Sequence, residues 1–241
     1  MQPTLFLSDL HLSPDRPATA DAFAAFCDGP AREAAAVYVL GDLFDWWIGD
    51  DQLDEPFAAR VGAAMRGLTA AGVPVHLAEG NRDFLYGPRF ERETGARLIP
   101  EQLVVDASGV PTLLMHGDEL CTSDVEYQRY RARMRSPETR RRLLALPGFV
   151  RRWIARSLRR RSRDQTALKP ESILDVSDDA VLEAFRTHGV ARMVHGHTHR
   201  PATHVVDVDG RRCERLVLAD WHDRGHWLEA GADGLVRREI G

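Results

Sequence analysis

Five short polar motifs, each preceded by an apolar run, constrain the fold of this chain most strongly. In chain order they are Asp9-Leu10-His11, Gly41-Asp42, Gly80-Asn81, His116-Gly117-Asp118 and His195-Gly196-His197. The preceding runs, residues 4–7, 37–40, 73–78, 111–115 and 191–194, have the composition of buried strands. Parallel or mixed strands would deliver all five motifs to one sheet edge, which is where open α/β sheets bind ligands.

The side chains of these motifs match the needs of a two-metal hydrolytic site. Two divalent ions about 3.5–4 Å apart need a bridging carboxylate and can hold a shared water whose pKa falls to about 7. We predict that Asp42 is the bridge, and that each ion gains one further histidine. The predicted metal ligands are Asp9, His11, Asp42, Asn81, His116, His195 and His197. This nitrogen and oxygen set suits Mn, Fe, Zn or Ni, and we expect two Mn²⁺ ions.

Taken singly, each motif has an ordinary structural explanation. Gly-Asp and Gly-Asn are common turn dipeptides, and a lone histidine such as His116 is more often an interior side chain than a ligand. The pair His195 and His197 is more specific, because Gly196 lets the backbone approach the metals while both imidazoles stay close together. All five motifs, in order after five strand-like runs, favour the metal site.

With these motifs the chain resembles the calcineurin-type metallophosphoesterases, whose pattern is Asp-x-His, Gly-Asp, Gly-Asn-His, Gly-His and Gly-His-x-His. Arg82 stands where most of that superfamily has a histidine after Gly-Asn. Longer segments resemble one branch in particular, the UDP-2,3-diacylglucosamine diphosphatases of lipid A synthesis. Those segments are residues 40–51, 80–84, 116–131, 173–176 and 195–201. The resemblance runs from Leu5 to about Trp221.

The resemblance implies an α/β fold, a two-sheet α-β-β-α sandwich in a single domain, with a helical lid inserted at about residues 124–169. It also implies an activity. The diphosphate of UDP-2,3-diacylglucosamine would be hydrolysed at the α-phosphorus by a metal-activated water, giving 2,3-diacylglucosamine 1-phosphate (lipid X) and UMP.

The same resemblance implies roles for individual side chains. The implied catalytic residues are Asp42, Arg82, His116 and His195, with Arg82 stabilising charge on the phosphate in the transition state. The implied substrate contacts are Trp47, Asn81, Arg82, Asp124, Tyr127, Ser162, Thr166, Lys169 and His195. Thr166 departs from the asparagine of the family, and Asp124 could instead be a carboxylate at a helix N-terminus.

An arginine-rich segment lies in the middle of the chain. Thirteen arginines and one acid, Glu138, occupy residues 131–163, interleaved with Leu, Phe, Val, Ile and Trp side chains. A solvated helical pair and a nucleic-acid surface are two interpretations of such a run. We favour a third, an interfacial amphipathic insertion that Pro147-Gly148 divides into two helices, because Arg mixed with Trp and Leu is typical of membrane-surface helices.

Composition and the chain start bear on location and partners. A net charge of −4 excludes a globally basic nucleic-acid binder. Three cysteines without metal-ligand spacing fit free thiols in a reducing compartment. No signal peptide or membrane span is evident in the sequence. We therefore expect a monomer on the cytoplasmic face of the inner membrane, held peripherally, with an acylated UDP-glucosamine as substrate and no nucleic-acid partner.

Two other functions remain as alternatives. One is a metallophosphoesterase acting on a soluble nucleotide or a phosphoprotein, which would be expected to lack the Arg-Trp-Leu insertion. The other is a metal-free interaction scaffold of the same fold, which would be expected to have lost metal ligands.

Local signals predict several elements. Residues 19–27 and 56–71 are helical in pattern, the second beginning near Pro56 and closing at Gly72. Ser177 is a predicted N-cap for a helix over residues 178–188 that ends at Gly189. Asp209-Gly210 predicts a hairpin between runs 203–208 and 213–218.

Overall fold

Two β-sheets carry the fold of this chain. The computed structural model describes residues 2–166, 175–222 and 224–240. The strands of this part are β1 (Thr4–Leu7), β2 (Ala36–Leu40), β3 (Val75–Ala78), β4 (Arg97–Leu98), β5 (Gln102–Ala107), β6 (Val110–Met115), β7 (Arg192–His195), β8 (Ala202–Val208), β9 (Arg211–Val217), β10 (Gly225–Gly231) and β11 (Gly234–Ile240). The helices are α1 (Pro17–Asp28), α2 (Pro56–Ala70), α3 (Pro88–Thr94), α4 (Val125–Met134), α5 (Pro137–Leu144), α6 (Gly148–Thr166) and α7 (Asp178–His188). Three short 3₁₀ helices span Pro30–Glu33, Asp50–Asp54 and Asp118–Leu120.

The strands that precede the motifs divide between the two sheets. The first sheet has the order β11-β10-β1-β2-β3-β4, and the second β5-β6-β7-β9-β8. Strands β1, β2 and β3 are parallel to one another, and β6 is parallel to β7. The predicted delivery of all five motifs to one sheet edge is therefore wrong. Three motifs follow strands of the first sheet and two follow strands of the second, because an apolar run does not encode which sheet it joins.

The layers explain where the apolar side chains go. Between the sheets, Phe6 and Leu40 of the first sheet lie in one buried cluster with Leu114 and Val194 of the second. Helices α1 to α3 contribute to a second core with the outer face of the first sheet, and α7 packs Phe185 against the second sheet. This is the α-β-β-α sandwich that the resemblance implied. Strands buried on both faces account for the nearly continuous apolar runs before each motif.

The helix boundaries predicted from the sequence are mostly confirmed. Helix α2 begins at Pro56 and ends at Ala70, and α7 begins at Asp178 with Gly189 after its end at φ 65°. Ser177 occupies the predicted N-cap position, but its side chain makes no cap hydrogen bond. Its hydroxyl instead meets Thr122 and Ser123. The hairpin turn falls at Asp209-Gly210, where both residues have positive φ.

The arginine-rich segment contains three helices rather than two. Pro147-Gly148 separates α5 from α6 as predicted, and a further break at Arg135-Ser136 separates α4 from α5. The Ser136 side chain accepts from the Thr139 N–H and so begins α5 as an N-cap. Within residues 2–166, 175–222 and 224–240, no helix has the length and apolar character needed to cross a membrane. Cys27, Cys121 and Cys213 are buried, and none of them forms a disulfide in the described part of the chain.

Candidate metal centre

Loops at the ends of five strands bring the polar motifs together. The backbone there is unusual, because Asp9, His11, Asp42, His197 and His199 all have positive φ. These are five of the seven non-glycine residues with positive φ in the described part of the chain. Residues other than glycine rarely adopt a positive φ. The conformation persists where the surrounding structure enforces it, most often at functional sites.

One group of ligand atoms is formed by Asp9, His11 and His199. The Nε2 atoms of the two histidines lie 3.3 Å apart. Asp9 Oδ1 lies 3.3 Å from His199 Nε2 and 4.0 Å from His11 Nε2. One atom from each of the three residues could hold a single ion, since all lie within 4.8 Å of one another. Nitrogen and carboxylate ligands converging in this way are typical of divalent transition metals.

A second group lies beside the first and contains Asn81, His116 and His197. The Asn81 Oδ1 atom is 3.0 Å from His116 Nε2 and 3.1 Å from His197 Nδ1. Asp42 lies between the groups, with Oδ2 at 3.6 Å from His11 Nδ1 and Oδ1 at 4.0 Å from His116 Nε2. This is the position that a bridging carboxylate requires.

His195 does not join either group, and His199 takes the place that sequence reasoning gave to it. His195 is the last residue of β7, where Nδ1 lies 2.9 Å from Gly196 O and Nε2 lies 3.1 Å from an Arg215 guanidinium nitrogen. The assignment of His195 as ligand, catalytic residue and substrate contact therefore disagrees with the structure. The signal was present, since the family pattern Gly-His-x-His fits Gly196 to His199.

Two buried atoms of these side chains have no hydrogen-bond partner among the described residues, and this supports a cation site. They are Asp9 Oδ1 in the first group and His11 Nδ1, which faces Asp42. Unsatisfied buried polar atoms are costly, and a metal ion in the first group would supply a partner for Asp9 Oδ1. The residues present therefore fit a divalent ion.

The electrostatics favour the neutral, metal-binding form of two of the histidines. Burial, followed by the charge of His116, lowers the pKa of His197 to about 4. Burial and then the charge of Arg82 hold the pKa of His11 well below its usual value. Burial lowers the pKa of His199, but the neighbouring carboxylates of Asp220 and Asp9 outweigh burial and raise this pKa to about 10, so a bound cation would take the place of the proton. A strong acceptor beside a buried imidazole is the usual device for orienting a metal-binding histidine.

Asp83 fastens two of the ligand loops to each other, a role that sequence reasoning missed. Its Oδ1 accepts from the Asp42 N–H at 3.1 Å and the Gly80 N–H at 2.9 Å. Its Oδ2 accepts from the Phe44 N–H at 3.2 Å and the Tyr86 hydroxyl at 2.6 Å. Asp83 is fully buried. The loops after β2 and β3 are therefore held in one arrangement by one carboxylate.

Two glycines allow the loops to approach closely. A Cβ on Gly80 would overlap the backbone and side chain of Asp42. A Cβ on Gly196 would overlap Ser8 and Asp9, so the close approach observed there is to the loop after β1, and the predicted approach to the metals stays a prediction. Only glycine fits where backbone meets a side chain this tightly.

Arg82 lies at the opening of the cluster. Its guanidinium donates to Asp45 Oδ1 at 3.0 Å, and Nε is 3.6 Å from Asp42 Oδ2. Its backbone N–H also donates to Asp42 Oδ1 at 3.0 Å. The Arg82 side chain is 38 % exposed. It can therefore contact a phosphate without first moving out of a buried position. Asp45 also pairs with Arg159 of α6, whose guanidinium lies 5.5 Å from the Trp46 ring centroid.

The predicted substrate contacts have mixed outcomes. Tyr127 lies in the site, with its ring 6.1 Å from the His197 ring and its hydroxyl 2.7 Å from Asp118. Asp124 caps α4 by accepting a hydrogen bond from the Tyr127 N–H at 3.1 Å. This is the role at a helix N-terminus that the sequence offered as the alternative to a substrate contact. Trp47 is only 2 % exposed and packs against Phe44, Tyr86 and Phe90, so the structure assigns it to the core. Lys169 and the side chains of Ser162 and Thr166 lie outside the described residues.

Many arginines of α4 to α6 bind carboxylates of the sandwich. The pairs are Arg131 with Asp118, Arg135 with Glu101, Arg140 with Glu79, Arg151 with Asp51, Arg152 with Glu55 and Arg159 with Asp45. Asp118 is fully buried and follows His116 by two residues, so its pair with Arg131 at 2.8 Å connects α4 to a ligand loop. This part of the basic segment is therefore not a freely solvated face.

Comparisons with known proteins agree with this geometry. The family described as calcineurin-like phosphoesterase matches residues 2–201. A UDP-2,3-diacylglucosamine hydrolase of Pseudomonas paraeruginosa is 48% identical over 95% of both chains. One from Cellvibrio japonicus is 46% identical over 98% of both chains, and one from Escherichia coli is 44% identical over 96% of both. A dimetal phosphatase structure from Danio rerio has a TM-score of 0.50 at 15% identity over 98% of both chains, which shows a shared fold. The chain therefore belongs to the calcineurin-like phosphoesterase family, as a relative of its UDP-2,3-diacylglucosamine hydrolases.

Proposed function

We propose that this chain hydrolyses the diphosphate of UDP-2,3-diacylglucosamine at the α-phosphorus, giving 2,3-diacylglucosamine 1-phosphate and UMP. The observation that carries the proposal is the 48% identity over 95% of both chains to a UDP-2,3-diacylglucosamine hydrolase. The cluster of Asp9, His11, Asp42, Asn81, His116, His197 and His199 supports a metal-dependent reaction. Because the set of ligands is complete, it argues against a scaffold that has lost metal binding.

The ligand cluster would hold two divalent ions, Mn²⁺ in our proposal. Asp9, His11 and His199 would bind one ion, Asn81, His116 and His197 the other, and Asp42 both. When bound, such ions supply Lewis acidity toward phosphate oxygens and acidify a water. The chain's own contribution is to fix these side chains, through Asp83 at the loops and through Asp220, whose Oδ2 is 3.1 Å from His199 Nδ1.

Arg82 would stabilise the charge that develops on the phosphate oxygens. Its planar guanidinium stays protonated and can bind two oxygens at once. Asp45 holds the guanidinium through a contact of 3.0 Å. The leaving sugar phosphate is a weak base, so the reaction needs little help from a general acid, and an arginine is acceptable where related enzymes have histidine.

The helices over residues 125–166 would receive the acyl chains and act as the lid. Tyr127 places α4 against His197, and Arg159 places α6 against Asp45. Their half-buried apolar side chains provide a surface for fatty acyl groups. These side chains are Leu143, Leu146, Val150, Ile154 and Leu158.

We further propose that the chain works as a monomer on the cytoplasmic face of the inner membrane. Phe149 and Trp153 are 73% and 70% exposed, one turn apart on α6. Arg156 and Arg160 are exposed and share that helix face by spacing. Exposed aromatic side chains among arginines suit the boundary between acyl chains and anionic headgroups. Only some of the arginines are available for headgroups, because others bind the sandwich.

A product analysis in isotopic water tests the reaction. Mn²⁺-loaded protein would be given the acylated UDP-sugar in H₂¹⁸O, and mass spectrometry would locate the label. We expect ¹⁸O in UMP, since water attacks the phosphorus that bears uridine. The matched substrate is deacylated UDP-glucosamine, which should react far more slowly. Label in the sugar phosphate would contradict attack at the α-phosphorus, and equal rates on both substrates would favour a soluble nucleotide substrate.

A further inference from the structure

The proposed function requires the substrate to extend from the metal centre in two directions. The helical segment lies beside Asn81 and His197 through Tyr127, so the acylated sugar half belongs on that side. The nucleotide half must then lie elsewhere around the cluster. Asp220 and His222, in the loop before β10, lie on the side of His199.

Arg16 is fixed at this second side of the cluster. Its guanidinium donates to the His11 carbonyl at 2.7 Å and lies 3.4 Å from His222 Nδ1. His222 Nε2 is 2.7 Å from Asp220, and its carbonyl accepts from the Thr19 hydroxyl at 2.7 Å. A chain of contacts therefore runs from His199 through Asp220 and His222 to Arg16. An arginine held at two of its donors keeps the others for a ligand.

Arg16 has no direct ion pair with a carboxylate of the described residues, and the nearby charge of Asp220 only partly offsets the lowering of its pKa. Arg82, Arg131 and Arg135 each pair with an acid near the site. Arg16 is half-buried and makes no ion pair with any residue in 2–166, 175–222 or 224–240. Burial, and then the charge of Arg82, lower the pKa of Arg16. Two guanidinium groups that repel each other beside a metal centre are typical of a site that binds anions.

A cavity of about 510 Å³ is lined by His222, the residue that Arg16 contacts. Asp220 and His222 line one end, and Leu218, His226 and Trp227 line more of its wall. The Trp227 Nε1 atom is buried without a hydrogen-bond partner. The volume falls in the range of small-molecule sites, about 300–1,000 Å³. Leu218 and Trp227 lie beside charged side chains that include Arg224, Arg237 and Arg238, and this mixture suits a polar nucleoside better than an acyl chain.

We propose that Arg16 binds the phosphate of a nucleoside monophosphate, the UMP half of the substrate, with its nucleoside in the neighbouring cavity. His222 is a positioning residue that holds Arg16 through Nδ1. The inference rests on the proposed function for the identity of the nucleotide. Its physical basis is a guanidinium that makes no direct ion pair within the described residues and lies between a metal centre and a cavity, and this applies to any nucleoside monophosphate.

Binding of the two products to Mn²⁺-loaded protein tests the assignment. Arg16→Gln removes the charge and keeps a donor for the His11 carbonyl, and Arg16→Ala removes both. We expect Arg16→Gln to weaken UMP binding about 10–100-fold, the loss of a charge-assisted contact, with the affinity for 2,3-diacylglucosamine 1-phosphate and the Mn²⁺ content unchanged. The control variant is Arg60→Ala. Arg60 lies on α2 in an exposed ion pair with Asp21 of α1, and its loss should change neither affinity.

Unchanged UMP affinity in Arg16→Gln would overturn the inference. Equal weakening of both products would also overturn it, because Arg16 would then act on the metal centre as a whole. Failure of the proposed function has a different signature. It would appear as no release of UMP from the acylated substrate by wild-type protein, whatever the affinity of Arg16→Gln for UMP.

Discussion

Asp83 allows a direct test of how the metal loops are held. In Asp83→Ala, three buried backbone N–H groups lose their acceptor, those of Asp42, Phe44 and Gly80. Each unsatisfied donor costs about 1–3 kcal/mol, so we expect the free energy of unfolding to fall by at least about 3 kcal/mol. Tyr86→Phe removes only the hydroxyl contact to Oδ2, and the same reasoning gives about 1–2 kcal/mol.

The two variants should also differ in metal binding. Urea unfolding gives the change in stability, and elemental analysis of dialysed protein gives the Mn²⁺ content. We expect Asp83→Ala to lose ions, because Oδ1 joins the loops that carry Asp42 and Asn81, and we expect Tyr86→Phe to keep them. If Asp83→Ala were no less stable than Tyr86→Phe and kept full Mn²⁺ content, the role given to this carboxylate would be refuted.

Three further predictions concern the site and its surroundings. Arg82→Ala should lower kcat about 10²–10³-fold, as for loss of one electrostatic donor, and an unchanged steady-state rate would remove Arg82 from the chemistry. Phe149→Ser with Trp153→Ser should weaken binding to anionic vesicles in a sedimentation assay and leave hydrolysis of a small chromogenic phosphodiester intact, since both side chains are exposed and outside the ligand set. Vesicle binding equal to wild type would exclude this helix face as the membrane contact. Gly80→Ala should reduce Mn²⁺ content, because its Cβ would overlap Asp42, and wild-type content would show that the loops can move apart.

The sequence predicts the ligand loops well because each follows a buried strand. An apolar run followed by Asp, Asn or His indicates both a strand and the place where it ends, and the observed strands end next to the motifs. It does not indicate the sheet, because partners in a sheet are chosen by packing over the whole chain. The edge strand β11 was missed for a related reason, since residues 234–240 are half-buried or exposed and lack a strong apolar pattern.

Side-chain roles were harder to predict than loops. His195 and His197 are close in sequence, but the strand continues through His195 and directs it to Arg215, whereas the loop brings His199 to Asp9. Trp47 lies close to Asp42 in the sequence and was therefore expected to line the site, but its side chain is buried in the core. The pairing of Arg159 with Asp45 joins residues 114 positions apart, which composition cannot reveal.

The number of Mn²⁺ ions bound per chain tests the central claim most directly. Elemental analysis of purified, Mn²⁺-equilibrated protein should give two ions for wild type. His199→Ala should lose the ion held with Asp9 and His11, and His195→Ala should keep both, because His195 contacts Arg215 and the Gly196 carbonyl. One ion in wild type, or loss of an ion in His195→Ala but not in His199→Ala, would contradict the two-metal centre described for this chain.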